Sequence, residues 1–219
     1  MTPELVDLPA LRAFLVAHAV PGLDEVDVLA DGSSRHRRLL GGHAGATTTL
    51  TVTLPPGVVG SPSIGAEGEP DAVAASAAVG RRWLGLDADP AAGVAALADD
   101  PVLGPLVLAR PHLRVPGSTD PFETAVLVVL GQHVSLAAGR VFAARLVAAH
   151  GEQRGGQLRT FPSPEALAAL EATDLQRTVG VTTARAGTVV AIARAVADGT
   201  LPLGLAPAPD LAEVRQRML

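Results

Sequence analysis

Between Thr47 and Leu54 the chain reads Thr-Thr-Thr-Leu-Thr-Val-Thr-Leu, a period of two built from β-branched residues on one side and larger apolar ones on the other. Strict alternation of this kind specifies a half-buried β-strand, with Leu50, Val52 and Leu54 on the covered face. A strand needs neighbours, and the stretch Arg37 to Gly41 supplies a second one across the turn signal Gly41-Gly42. Pro55-Pro56-Gly57 closes the pair, and the Gly, Pro and Ser residues that follow to about Gly68 read as a loop. Upstream, Leu8, Leu11, Phe14, Leu15 and Ala19 recur at helical spacing until Pro21-Gly22. A second helix is predicted from Pro70 to Leu84. The first part of the chain is therefore an α/β unit with a small antiparallel sheet, assigned here to residues 1–86.

From Asp89 onward the pattern is helix upon helix, interrupted between Arg110 and Ser118 by Pro111, Pro116 and Gly117. Asp120-Pro121-Phe122-Glu123 is a helix start, with Asp as cap, Pro in the first turn and Glu placed to reach back to the cap amide. That helix is predicted to run to about Gln132. Ser135 caps the next, through His150, with Gly151 expected in the left-handed position beyond it. Further helices are predicted over Pro162–Leu170 and Thr183–Asp198, the latter stopped by Gly199. Asp210 caps a last segment with Leu211, Val214 and Met218 on one face, and Leu219 follows without a stop signal. Either the terminal helix frays or the structure continues. The second unit is assigned to residues 87–219, and the fold class is α+β.

Composition removes several chemistries. With no Cys the chain has no disulfide, thiolate metal site, iron-sulfur cluster or cysteine nucleophile. All 17 basic residues are Arg, so lysine Schiff-base chemistry is excluded as well. No cofactor and no metal is expected. The apolar runs Thr124 to Gly131 and Val189 to Val196 fall short of the roughly 20 residues that span a bilayer, and the start lacks a secretory pattern. A cytoplasmic protein without a membrane partner is the expectation. The formal charge is -5, unevenly spread: residues 1–110 carry 7 Arg and 13 acids, residues 111–219 carry 10 Arg and 9 acids. Arg140, Arg145, Arg154 and Arg159 stand close together with Glu152 as their one acid. They suit either phosphates or a solvated helix face.

The string Arg110-Pro-His-Leu-Arg-Val-Pro-Gly-Ser-Thr-Asp-Pro-Phe-Glu, then Leu130-Gly-Gln-His-Val-Ser, resembles the AlkA-type DNA-3-methyladenine glycosylases of the helix-hairpin-helix superfamily. Phe161-Pro-Ser-Pro-Glu-Ala-Leu, Thr183-Ala-Arg-Ala and Ala193-Arg-Ala-Val-Ala-Asp-Gly-Thr-Leu continue the likeness in order. It runs from about Leu11 to Leu219. The resemblance implies a domain related in fold to the TATA-binding protein, followed by an all-helical glycosylase body. It also implies base-excision repair: monofunctional hydrolysis of the N-glycosidic bond of alkylated purines, with double-stranded DNA carrying such bases as partner, and a monomer.

The family's glycine-rich hairpin and catalytic aspartate would lie beyond Leu219, so no catalytic residue is assigned and the chain alone is expected to be inactive. Asp120, Asp174 and Asp210 read instead as caps or turn residues. By the resemblance, Gln132 stands at the mouth of the base pocket and His133 takes the place of the residue that wedges into the gap left by a flipped nucleotide, where relatives often carry Leu or Gln. Phe14 corresponds to an aromatic near that pocket, although its spacing with Leu11 and Leu15 also suits a core residue. Leu136, Ser135 and Arg140 complete the candidate DNA-binding set. The alternative function is a noncatalytic DNA-binding or regulatory module derived from the glycosylase.

Overall fold

The structure is a computed structural model that describes residues 4–41, 47–153 and 156–203. The helix expected from Asp210 lies outside the described residues. Strand β1 (Val6–Asp7) leads into α1 (Leu8–His18), which Asp7 caps by accepting from the Ala10 amide at 3.0 Å. Then come β2 (Asp24–Val28), β3 (Ser34–Gly41), β4 (Thr47–Leu54), β5 (Val59–Gly60), β6 (Ser63–Gly68) and α2 (Pro70–Trp83). The main sheet has the order β2-β3-β4-β6 and is antiparallel throughout, while β1 pairs with β5.

In β4 the alternation is realised residue by residue: Leu50, Val52 and Leu54 are buried and the intervening threonines half-buried. Helix α2 lies across this sheet. At Gly80 a Cβ would stand 2.7 Å from the Ile64 side chain, so the helix backbone approaches β6 as closely as only glycine permits.

β5 and β6 lie where the sequence reads as loop, and β2 where no strand is predicted. In β6 the Gly, Ala and Ser residues carry no strand signal, and the strand forms because β4 offers a complete unpaired edge over Thr48 to Thr53. β2 is acidic, and its register explains it: Asp24, Glu25 and Asp27 stand opposite Arg38, Arg37 and Arg35. Glu25 and Asp27 pair with Arg37 and Arg35 at 2.8 and 2.9 Å on the outer face. Cross-strand pairs of this kind stabilise a ladder by tenths of a kcal/mol each, roughly 0.2–1.

Helices α3 (Pro90–Leu97) and α4 (Leu103–Ala109) precede the connector, then α5 (Pro121–Gly131), α6 (Leu136–His150), α7 (Pro164–Ala168), α8 (Ala172–Val179) and α9 (Thr183–Ala197) form the helical part. Asp120 and Ser135 cap α5 and α6 as their positions predict, Ser163 caps α7, and Gly199 has φ of 78° beyond α9. Gly151 is corrected: its φ is -75°, not left-handed, and glycine is needed there because a Cβ would lie 2.4 Å from the Thr160 carbonyl. α8 was not anticipated. One core gathers α5 to α9 around Val126, Leu130, Leu146, Leu175 and Val189, and a second gathers α1, β4 and Leu84. Among the described residues no single helix is long and apolar enough to cross a membrane.

Between these cores stands a buried charge cluster. Glu123 does not reach back to the α5 cap; its carboxylate accepts both Nη2 contacts of Arg38, at 2.7 and 2.9 Å. Asp24 lies 3.6 Å from Arg38 Nε, and the guanidinium stands 5.4 Å from the Trp83 ring centre. Burial pushes the Glu123 carboxyl upward against the pull of Arg38. Desolvation opposes the charge on Arg38, but Asp24 and Glu123 outweigh it and hold the guanidinium ionised.

Beyond this cluster, five arginines close helix C-termini belonging to other elements. Arg140 donates to the Ala19 carbonyl after α1 at 2.7 Å, and Arg185 to Gln132 after α5 at 2.5 Å. Arg159 donates to Gly151 after α6, Arg194 to Ala168 and Leu170 at the end of α7, and Arg145 to Val179 at the end of α8. Each satisfies carbonyls that the helix leaves open and places positive charge at the negative end of its dipole.

Two outcomes follow for stability. Glu123→Ala removes one partner of a buried charge cluster and is expected to cost about 3–5 kcal/mol in urea unfolding, with the triple variant Asp24→Asn/Arg38→Met/Glu123→Leu, which leaves no charge unpaired, recovering most of it. His36, on the inner face of β3, is buried, its Nε2 has no hydrogen-bond partner among the described residues, and burial, aided by Arg12, lowers its pKa from 6.5 to about 4. The unfolded chain takes up a proton below about pH 6.5 that folded His36 refuses until about pH 4. Stability is therefore expected to fall as pH drops through that window, by up to about 3 kcal/mol, and His36→Leu to flatten the dependence.

Candidate nucleic-acid interface

α5 and α6 meet at an elbow of four residues. α5 is held by the buried side chains of Phe122, Val126, Val129 and Leu130, and ends at Gly131. Ser135 then starts α6 by accepting from the Ala138 amide at 3.2 Å. The intervening backbone turns sharply: Gln132 is extended, with φ -60° and ψ 132°, and His133 has φ of 57°. Among the described non-glycine residues His133 alone has positive φ. Such a conformation costs an L-residue roughly 1–2 kcal/mol. Gln132, His133, Ser135 and Leu136 are all exposed.

Beside the elbow opens a cleft of about 520 Å³ between the sheet unit and the α5–α6 pair. Gly131 and Val134 form its edge next to the elbow. Phe14 and His18 of α1 form one wall, stacked with ring centres 4.1 Å apart. Leu127 and Val128 of α5 and Leu136 of α6 line the cleft as well, together with the buried His36, Arg38 and Glu123 and the half-buried Trp83. Arg140 lines the cleft while its Nε is bound to the Ala19 carbonyl, tying α6 to the end of α1. Asp24 and Glu123 are the carboxylates that line the cleft, and both face Arg38.

The structure thus brings Phe14, Leu136 and Arg140 to one cleft, while Gln132, His133 and Ser135 are not in its lining but are interspersed in the chain with Gly131, Val134 and Leu136, which are. Ser135 has a local task as a helix cap. Phe14 is half-buried, packed against the core around Leu11 and Leu15 and lining the cleft as well. The described members of the basic window are each engaged with a backbone carbonyl: Arg140, Arg145 and Arg159. Arg154 lies outside the described residues. Sequence reasoning missed His36, Arg38, Trp83 and Arg185 as parts of this region. Trp83 was signalled by being the sole Trp of the chain. His36 and Arg38 were not, because Ser34, His36 and Arg38 alternate as a surface-facing row would, yet point inward.

Comparison with known proteins supports the same lineage. A curated relative from Mycobacterium tuberculosis, described as a probable bifunctional transcriptional activator/DNA repair enzyme AlkA, is 42% identical over 127 residues, 56% of this chain and 25% of that protein. DNA-3-methyladenine glycosylase 2 of Escherichia coli is 39% identical over 103 residues, 46% of this chain and 36% of that protein. The chain thus spans about a quarter to a third of the length of these curated relatives. Among solved structures, a 3-methyladenine DNA-glycosylase from Archaeoglobus fulgidus superimposes with a TM-score of 0.69 at 21% identity, covering 86% of this chain and 63% of that one. An 8-oxoguanine glycosylase/lyase from Clostridium acetobutylicum, solved with double-stranded DNA, gives 0.55 at 17% identity, covering 83% and 68%. At those identities the likeness is one of fold. The family model for the AlkA N-terminal domain matches residues 4–120, more than half of the sequence, and the chain belongs to that family.

Proposed function

We propose that this chain forms the DNA-recognition shoulder of a base-excision repair glycosylase acting on alkylated purines in duplex DNA. The observation that carries the reading is the exposed Gln132–His133 elbow, with its left-handed residue, beside an apolar cleft that Phe14 and Leu136 line. In this reading His133 enters the gap left by an extruded nucleotide, Gln132 meets the neighbouring base or backbone, and the cleft wall faces the extruded base. A cationic alkylated purine is already a good leaving group, so hydrolysis chiefly requires a carboxylate near the developing sugar cation. Asp24 and Glu123 are both held by Arg38 and do not supply it. The chain is accordingly proposed to bind without catalysing. A division into a unit over 1–86 and a helical unit over 87–219, a monomeric state and a cytoplasmic location complete the proposal.

Incubation of this chain with methylated duplex DNA is expected to release no 3-methyladenine, and release would overturn the noncatalytic assignment. In mobility-shift titrations it is expected to bind a duplex carrying an abasic analogue, more weakly as salt rises, because phosphate contacts release counterions. His133→Asn tolerates the left-handed backbone but removes the ring, and is expected to weaken that binding about tenfold, within the ~1–3 kcal/mol of one lost stacking contact. Absence of binding at low salt would refute the recognition role.

A further inference from the structure

We propose that Arg185 is the positioning residue of the α5–α6 elbow, holding Gln132 and His133 in the geometry that DNA insertion requires; this rests on the reading of His133 as the inserting residue. The elbow has little support of its own: the Gln132 amide reaches the Val129 carbonyl only at 3.4 Å, while the next residue sits in a disfavoured backbone region. A strained conformation persists when its surroundings over-determine it.

Arg185 supplies that constraint from a third helix. Its Nη2 donates to the Gln132 carbonyl at 2.5 Å, and the guanidinium carbon stands 6.0 Å from the centre of the Phe142 ring on α6. One side chain therefore joins the end of α5, the body of α6 and the start of α9. Its own backbone is fixed, since the Arg185 amide donates to the Thr182 cap at 3.3 Å. A cation in the first turn of α9 is unfavourable for that helix, which has no acid there to offset it. The placement is explained by what Arg185 does for the elbow rather than for α9. Among the five carbonyl-closing arginines, Arg185 alone acts on a residue adjacent to the left-handed His133.

The test uses Arg185→Ala and Arg185→Lys, with Arg194→Ala as a control that removes a comparable contact at the end of α7, away from the elbow. In the free protein, Arg185→Ala is expected to speed amide exchange at Gln132 to Ser135 about tenfold or more, as loss of a charge-assisted hydrogen bond does. Bound at saturation to a duplex with a tetrahydrofuran abasic analogue beside 2-aminopurine, it is expected to lose most of the fluorescence change seen with the native chain. Arg185→Lys should retain part of it, because an ammonium can reach the carbonyl but not lie flat over Phe142. Arg194→Ala should lower thermal stability and leave the fluorescence change intact. Unchanged elbow exchange in Arg185→Ala, or an equal fluorescence loss in Arg194→Ala, would overturn the positioning role. If His133→Asn leaves the fluorescence change intact, the insertion reading fails, and the exchange measurement still decides whether Arg185 holds the elbow.

Discussion

Arg38 is the point on which the relation between sheet and helices depends. It stands on the inner face of β3, where β4 contributes leucine and valine, and its charge would be untenable there without the Glu123 carboxylate arriving from 85 residues away. The pair thus fixes α5 against the sheet in one register. Nonpolar packing at the same place could join the two parts as firmly, but it would not specify which turn of α5 faces β3. Part of the cleft lining takes its position from this contact: Trp83 beside the guanidinium, the direction of α5, and through α5 the elbow at its far end.

The closing of helix ends by arginine from other elements is a second organising device. Helices as short as α7 and α8 have few internal hydrogen bonds to hold them, and short helices are marginal by themselves. A guanidinium that spans two carbonyls, as Arg194 does, both stabilises the end and fixes a neighbour's angle. It also changes the meaning of the basic stretch around residues 140–159. The described arginines of that stretch serve the interior of the fold, so any attraction for phosphate comes from guanidinium faces left over after those bonds.

Much of this was legible in the sequence, and the remainder was hidden for identifiable reasons. β4 and the caps at Asp120 and Ser135 were readable because local chemistry and tertiary environment agree there. β2 and β6 were not, since both depend on partners: β2 on three arginines of β3, β6 on the free edge of β4. Glu123 was read correctly as part of a helix start and incorrectly as bonding to its own cap, because a buried arginine outcompetes a local amide for a carboxylate. In the interface, the family motif singled out Gln132 and His133, while Arg185 lay in a quoted motif without an evident role. Its role requires knowing that the start of α9 passes over the end of α5.

The left-handed backbone at His133 carries a consequence for how this position can vary. Histidine, asparagine and aspartate adopt that backbone at a lower cost than other L-residues, glycine adopts it at none, and β-branched residues hardly adopt it at all. A leucine placed on the same backbone would therefore alter two properties together, the shape of the turn and the chemistry of its tip. Side-chain choice and loop conformation are coupled variables at this site. Grafting another protein's residue onto it tests neither one separately, and a productive exchange would move the whole elbow, from Gly131 through Ser135, along with the arginine that grips it.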